Sequence, residues 1–210
     1  MKKRIDVANW ARREHFEHFR RYEEPYHGVV FEVDMTATYE AAKARGQSVF
    51  LHYLYRTVRA AQAVEAFRLR LEGEAVYCYE RLHAGSTLAR RDHTFGFGFI
   101  PYHEEVDVFV ANGLQEMARI EATTGLAMDE HTPRLDVIHC SPLPWLPFTG
   151  LTHARPFHRP DSVPKISFGK LQKRQGHVWL PVAVNVHHAL VDGYHVGLFY
   201  EALQREMGVG

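Results

Sequence analysis

Near its C-terminus the chain runs Val184-Asn185-Val186-His187-His188-Ala189-Leu190-Val191-Asp192-Gly193-Tyr194-His195. The apolar, β-branched run from Val178 to Val184 predicts a buried strand that leads into this stretch. Behind it, apolar residues at helical spacing predict a helix: Val196, Phe199, Tyr200, Leu203 and Met207. The two histidines therefore lie where a strand ends and a loop opens, which is a favourable place for a catalytic base.

The pair Asp192-Gly193 closes this loop, because glycine tolerates unusual backbone angles and aspartate caps helices. Taken singly, a histidine at a strand end or an aspartate before a helix is usually structural. Adjacent strand residues point to opposite faces, so only one of His187 and His188 can face a given cleft. The joint pattern of a histidine pair, three small or apolar residues and Asp-Gly favours a catalytic loop.

Composition narrows the class of protein. The 210 residues suffice for one domain with its own core, and the 25 basic residues balance the 25 acidic ones. This balance favours neither a nucleic-acid nor a membrane partner. The basic N-terminus is followed by no apolar run, so we expect a cytoplasmic protein. Cys78 and Cys140 form no C-x-x-C pair and are expected to be buried free thiols.

Alternating helices and strands are predicted along the chain. Apolar spacing predicts helices at 10–22, 36–46, 50–67 and 104–123. Strands are predicted at 29–33, 69–71, 75–79, 94–100, 135–140, 165–171 and 178–186. This order predicts an α/β or α+β sandwich with one domain over residues 1–210.

Three local details accompany these assignments. Asn9 is expected to cap the first helix, and Val108, Met117 and Ile120 are expected to face inward from the helix at 104–123. The alternation of Phe and Gly at 94–100 predicts a strand with one aromatic face and another face pressed by a neighbouring backbone. The proline-rich run at 141–151 cannot be regular structure over its length.

The pattern H-H-x-x-x-D-G resembles the signature of acyl-CoA-dependent acyltransferases. These include chloramphenicol acetyltransferases, the acyltransferase cores of 2-oxo acid dehydrogenase complexes and peptide-synthetase condensation domains. The run Trp10 to Glu17 resembles the opening W-x-R-x-E-H-F-E of chloramphenicol acetyltransferases, and Pro144 to Thr149 resembles their P-W-x-x-F-T loop. Condensation domains are about twice as long, and the dehydrogenase-complex enzymes lack the opening Trp-x-Arg. The resemblance therefore favours the chloramphenicol acetyltransferase family.

This resemblance implies a fold and a mechanism. The fold would be a two-layer sandwich with a mixed, mostly antiparallel sheet and helices on one face. The enzyme would be a homotrimer with active sites between subunits, and it would transfer acetyl from acetyl-CoA directly to an acceptor hydroxyl in a ternary complex. His188 would be the general base, and Asp192 would pair with Arg12 in a buried salt bridge. No metal and no permanently bound cofactor are implied, since acetyl-CoA is a co-substrate.

The resemblance also suggests which residues bind substrates. The acceptor would be chloramphenicol or a similar small alcohol, and the biological role antibiotic resistance. Phe19 and Phe95 fall at aromatic positions of the acceptor pocket, and Ser167 falls where the family has a threonine that contacts the intermediate. Lys170 matches a lysine near the CoA phosphate.

One position departs from the family pattern. Gly150 stands where the family has a serine that donates to the oxyanion, and losing one such donor typically costs about 2.7–4 kcal/mol. The neighbouring Thr149 or Thr152, a backbone N–H or a water could substitute.

Two other hypotheses remain open from sequence. Without the serine, the protein could be a trimer that acts on another acceptor or only binds a ligand. Alternatively, His188, Asp192 and His195 would share one face of a continuous helix, as ligands of a metal-dependent hydrolase do.

Overall fold

Two β-sheets organise residues 1–155 and 161–209, which the computed structural model describes. The strands in these ranges are β1 (Lys2–Arg4), β2 (Tyr26–Asp34), β3 (Leu69–Glu72), β4 (Ala75–Tyr79), β5 (His83–Ala89), β6 (Phe95–Ile100), β7 (Val137–Pro142), β8 (Lys165–Phe168), β9 (Gln172–Arg174) and β10 (His177–His187). The larger sheet has the order β2-β10-β8-β7-β5-β6, with β9 beside the start of β10. The smaller sheet has the order β1-β4-β3.

Helices cover one side of the larger sheet. The α-helices of the described chain are α1 (Arg13–Phe19), α2 (Thr36–Ala44), α3 (Val49–Ala63), α4 (Val106–Glu121) and α5 (Gly193–Met207). Every second residue of β10 points towards this layer and is buried in one core with α3 and α5: Val178, Leu180, Val182, Val184 and Val186. None of the described helices is long and apolar enough to cross a membrane.

Strand directions confirm the predicted fold class. The central strand β10 is antiparallel to both β2 and β8, and β5 is antiparallel to β6. Only the pairs β5–β7 and β7–β8 are parallel among the described strands. The sheet is therefore mixed and mostly antiparallel, as expected. The strands predicted at 29–33, 75–79, 94–100 and 135–140 and the hairpin around Gly73 are also present.

The predicted first helix is wrong in its start and its cap. Residues Val7–Asn9 form a separate 3-10 turn capped by Asp6, and α1 begins only at Arg13 without a side-chain cap. The amide Nδ2 of Asn9 donates to Asp6 Oδ2 at 2.7 Å, so Asn9 serves the earlier turn. The helix predicted at 50–67 likewise ends at Ala63 and is followed by a 3-10 turn, Glu65–Arg68.

Helix α4 turns inward a face that includes Ile120, as its sequence predicts, but not Met117. Met117 is exposed, whereas Phe109, Gly113 and Ile120 are buried. The physical reason is a close approach at Gly113, where an added Cβ would lie 2.4 Å from Leu51 Cδ2 of α3. The glycine face of β6 is pressed by side chains and not by backbone as expected, and at Gly98 the nearest is Leu88 of β5, whose Cδ1 would lie 2.5 Å from an added Cβ. An added Cβ at Gly98 would lie 3.1 Å from Glu116 Cγ.

A fully buried arginine fastens the two sheets together. Arg70 of β3 donates from Nε to Leu135 O at 2.7 Å and from Nη2 to Val137 O at 2.6 Å, at the start of β7. Its Nη1 donates to Phe67 O and Leu69 O. Burial lowers the pKa of Arg70 to about 10, which still leaves the guanidinium charged at neutral pH.

Candidate active site

The loop between β10 and α5 is held by the cap of the helix. Asp192 Oδ1 accepts hydrogen bonds from the backbone N–H groups of Tyr194 at 3.1 Å and His195 at 3.4 Å. The ring Nδ1 of His195 accepts in return from the N–H of Asp192 at 3.3 Å, which completes a capping box. The predicted cap at Asp192 is confirmed. Because the strand ends at His187 and the helix begins at Gly193, the continuous helix that the metal hypothesis requires is absent.

An ion pair ties this loop to the start of α1. Arg12 Nη1 donates to Asp192 Oδ2, and the two side chains are only 16% and 27% exposed. Arg12 Nη2 also lies 3.5 Å from the carbonyl oxygen of His188. Burial by itself raises the pKa of Asp192, but the hydrogen bond and charge of Arg12 outweigh it and the pKa falls below its usual value. Asp192 is therefore ionised at neutral pH.

His188 lies between two aromatic rings. Its imidazole stacks on Phe19 with ring centroids 3.8 Å apart, and His27 of β2 lies 4.5 Å away on a tilted plane. The backbone N–H of His188 donates to Pro25 O at 2.8 Å. Its Nδ1 is buried and has no hydrogen-bond partner among the described residues. Stacking therefore fixes the ring, whereas its nitrogens make no hydrogen bond to the described residues.

The neighbouring His187 has a structural role. It is 5% exposed, it accepts from the N–H of Ala189 at 3.2 Å through Nδ1, and its ring packs edge-on against Tyr26. Burial lowers the pKa of His187 to about 4, so the ring is neutral. Of the two histidines, only His187 uses a ring nitrogen in a hydrogen bond among the described residues.

A second group of polar residues lines a cavity of about 300 Å³ on the sheet face opposite the helices, which we call the sheet cavity. Its walls include the polar residues Thr87, Asp129, His131, Thr132, His139, Ser141, His153 and Lys165 and the aromatic residues Phe97 and Phe99. Ser167 lies directly beneath it, fully buried, with its Oγ 3.2 Å from Nε2 of His153. The sequence prediction identified only Ser167 of this group.

The alternation of residues in β7 and β8 was the missed signal. In each strand polar side chains alternate with buried apolar ones, at His139 and Ser141 and at Lys165 and Ser167. In adjacent strands this pattern places all four polar side chains on one face of the sheet. His153 carries no such signal, because it lies in an irregular segment.

The other predicted binding residues lie at the surface of the single chain. Phe95 is 45% exposed and contacts Phe97 edge-on with centroids 5.8 Å apart. Thr149 and Gly150 are exposed, and no atom lies within 4 Å of where a Cβ at Gly150 would stand. Lys170 has an exposed side chain, and its N–H donates to Leu146 O at 2.9 Å. None of these residues lines the sheet cavity as the structure describes it.

The loop residues and the sheet cavity are separated within one chain. Ser167 pairs with Ala183 in β10, five residues before His188, and Lys165 pairs with Asn185, three residues before it. At about 3.4 Å per residue these offsets correspond to roughly 17 Å and 10 Å along the strand. A base must lie within about 3 Å of the proton that it removes. His188 is accordingly not among the described residues that line the cavity.

Comparison with known proteins identifies the relatives of this chain. The sequence profile of the chloramphenicol acetyltransferase family matches residues 2–204. The chain belongs to this family. It is 28% identical to the chloramphenicol acetyltransferase of Bacillus pumilus over 205 residues, which is 97% of this chain and 92% of the relative. It is 27% identical to chloramphenicol acetyltransferase 3 of Escherichia coli over 202 residues, 96% of this chain and 94% of the relative.

The fold agrees with this assignment. A solved chloramphenicol acetyltransferase superposes with a TM-score of 0.87 at 29% identity, covering 99% of this chain and 100% of that one. As a chloramphenicol acetyltransferase family member the protein is an acyltransferase, and enzymes of this family use acetyl-CoA as co-substrate. Among the described residues, no cluster of three or more His, Cys, Asp or Glu is arranged to hold a metal ion. Both cysteines are free.

Proposed function

We propose that the protein is an acetyl-CoA-dependent O-acetyltransferase that acts on a hydroxyl of chloramphenicol or a similar small alcohol. The observation that carries this proposal is His188, whose ring is fixed by stacking on Phe19 while its buried Nδ1 remains unpartnered. Loop, cap and ion pair together hold the backbone around it, with Arg12 and Asp192 as positioning residues.

In the reaction, both substrates bind before any bond changes. Neutral His188 takes the proton of the acceptor hydroxyl while its oxygen attacks the thioester carbonyl carbon. The tetrahedral intermediate then collapses with cleavage of the C–S bond. The imidazolium returns the proton to the departing CoA sulfur, so no acyl-enzyme forms. Such positioned proton transfer contributes about 10²–10⁴-fold in rate.

The active site forms between copies of the chain. Because the sheet cavity lies roughly 10–17 Å along β10 from His188, an acceptor in that cavity needs a base from a second subunit. Large apolar side chains are exposed beside the cavity and on the 141–151 loop: Phe95, Phe97, Trp145 and Leu146. Burial of such side chains favours association. We therefore infer a homotrimer with interfacial active sites, as the family resemblance implies.

The proposal also covers the domain organisation, CoA binding, the oxyanion donor and the cellular location. Residues 1–210 form one domain that holds no permanent cofactor, and Lys170 contacts the phosphates of CoA. Gly150 has no hydroxyl to donate to the oxyanion, and Thr149 or Thr152, both exposed beside it, supplies this hydrogen bond instead. The enzyme acts in the cytoplasm, and acetylation inactivates an antibiotic.

The deciding experiment measures release of free CoA thiol from acetyl-CoA with chloramphenicol present. We expect release by the wild type, its loss in His188→Ala, and retention in His177→Ala, which alters an exposed histidine at the other end of the same strand. Sedimentation should give the mass of a trimer for all three proteins. No release from folded, trimeric wild type would refute chloramphenicol as acceptor and favour another alcohol or a binding protein.

A further inference from the structure

The formal charges in the wall of the sheet cavity are paired. Lys165, 8% exposed, forms an ion pair with Asp161. Asp129 Oδ2 lies 3.1 Å from Nη2 of Arg119. Because the charges of these two residues are compensated by protein groups, the cavity is suited to a neutral ligand that binds through hydrogen bonds.

His153 separates Ser167 from this cavity. The ring of His153 lines the wall, whereas Ser167 is 0% exposed below it, and one hydrogen bond of 3.2 Å joins His153 Nε2 to Ser167 Oγ. A ligand in the cavity therefore meets the imidazole and not the serine hydroxyl. The bond to Ser167 engages one ring nitrogen and fixes the ring plane, which leaves the Nδ1 edge of the ring for a ligand.

The imidazole is neutral under working conditions. Burial, with a smaller contribution from the charge of Lys165, lowers the pKa of His153 below its ordinary value. A neutral imidazole has one donor and one acceptor nitrogen. It can thus pair with a hydroxyl or an amide, and it does not add an unpaired charge to the cavity.

We propose that His153 is an acceptor-binding residue that sets the specificity of the enzyme, with Ser167 as the residue that positions its ring. The acceptor is then a neutral alcohol with a second hydroxyl or amide group that bonds to His153. This inference rests on the proposed acetyltransferase function, because it takes the sheet cavity as the acceptor site.

The test compares the steady-state kinetics of five variants. The acceptor is chloramphenicol, which is a neutral alcohol that also carries a second hydroxyl and an amide. His153→Leu removes the polar edge at similar volume, and it should raise KM for chloramphenicol about 3- to 10-fold, the value of one lost hydrogen bond. His153→Gln should restore most of this loss. Ser167→Ala should raise the same KM less, and it should add nothing in the His153→Leu background. His93→Asn, at an exposed turn histidine, is the control.

The readouts distinguish recognition from structure. KM for acetyl-CoA should stay at the wild-type value in His153→Leu, because it does not depend on the acceptor. The Tm should fall modestly in both His153→Leu and Ser167→Ala, because each loses the buried hydrogen bond between these residues. An unchanged KM for chloramphenicol overturns the inference, as does an equal rise of both KM values. If folded wild type acetylates no alcohol in the thiol-release assay, the proposed function itself fails and the role of His153 falls with it.

Discussion

Removing the charge of Asp192 without removing its cap should show what the ion pair with Arg12 contributes. Asn and Asp cap helices equally well, so Asp192→Asn keeps the bonds to the N–H groups of Tyr194 and His195. The side chains are 16% and 27% exposed, between the limits of a surface and a buried pair. We therefore expect a loss of about 1–2 kcal/mol in unfolding free energy, or about 2–8 °C in Tm for this length.

Asp192→Ala should cost about 1 kcal/mol more, because the cap is then lost as well. The assay is urea or thermal unfolding followed by circular dichroism at fixed protein concentration, with Arg12→Met completing a double-mutant cycle. The two residues should show a coupling of about 1–2 kcal/mol. The kcat should also fall, but by less than in His188→Ala, since the pair only positions the loop.

The contribution of Asp192 to the free energy of unfolding should depend on pH, because the ion pair requires an ionised carboxylate. The pKa of Asp192 is lowered in the folded state, so its contribution is fully present above the unfolded pKa of about 3.9 and is lost as pH falls through the lower folded value. The stability difference between wild type and Asp192→Asn should thus be constant near neutral pH and shrink below about pH 4. Additive effects of Arg12→Met and Asp192→Asn, or a difference that persists in acid, would refute the reasoning.

Three further predictions concern other sites. Gly150→Ser should leave kcat within a few-fold of wild type and the Tm unchanged, because Thr149 or Thr152 already donates to the oxyanion and nothing lies within 4 Å of the new Cβ; a rise of about 10²–10³-fold would mean that neither threonine serves as the donor. Gly113→Ala should destabilise by about 1–3 kcal/mol because its Cβ collides with Leu51, whereas Gly197→Ala in open space on α5 should stabilise by up to about 1 kcal/mol in the same unfolding assay. Arg70→Met should cost at least about 3 kcal/mol, since four carbonyl groups lose their donor; a Tm within 2–4 °C of wild type, about 1 kcal/mol, would contradict this account.

The elements around the histidine pair could be predicted because local signals agreed there. The β-branched run of β10, the cap at Asp192 and the helical spacing of α5 all specify the same boundary. Strand β5 was missed, since its sequence His-Ala-Gly-Ser-Thr-Leu-Ala lacks a bulky apolar run. Its burial comes from the strands on both sides, β6 and β7.

Tertiary contacts explain the remaining differences. The inward face of α4 is decided by the fit of Gly113 against Leu51, which no periodicity within α4 contains. The contact between His153 and Ser167 joins an irregular segment to a strand 14 residues away. The motif residues Arg12 and Asp192, 180 positions apart, could be paired from sequence only through a family resemblance.

The guanidinium of Arg70 also limits how the chain can be re-engineered. Two of its donor nitrogens bond to the distant segment at 135–137, so the β3–β4 hairpin is not a module that can be exchanged alone. A transplanted hairpin would need the backbone at 135–137 in the same place to receive those bonds. Loop replacement or insertion of a second domain is better directed to exposed turns such as Gly46 or Gly176, where the bonds that flanking side chains make to other elements lie at the surface, as from Gln47 to Asp107 and from Arg174 to Glu32.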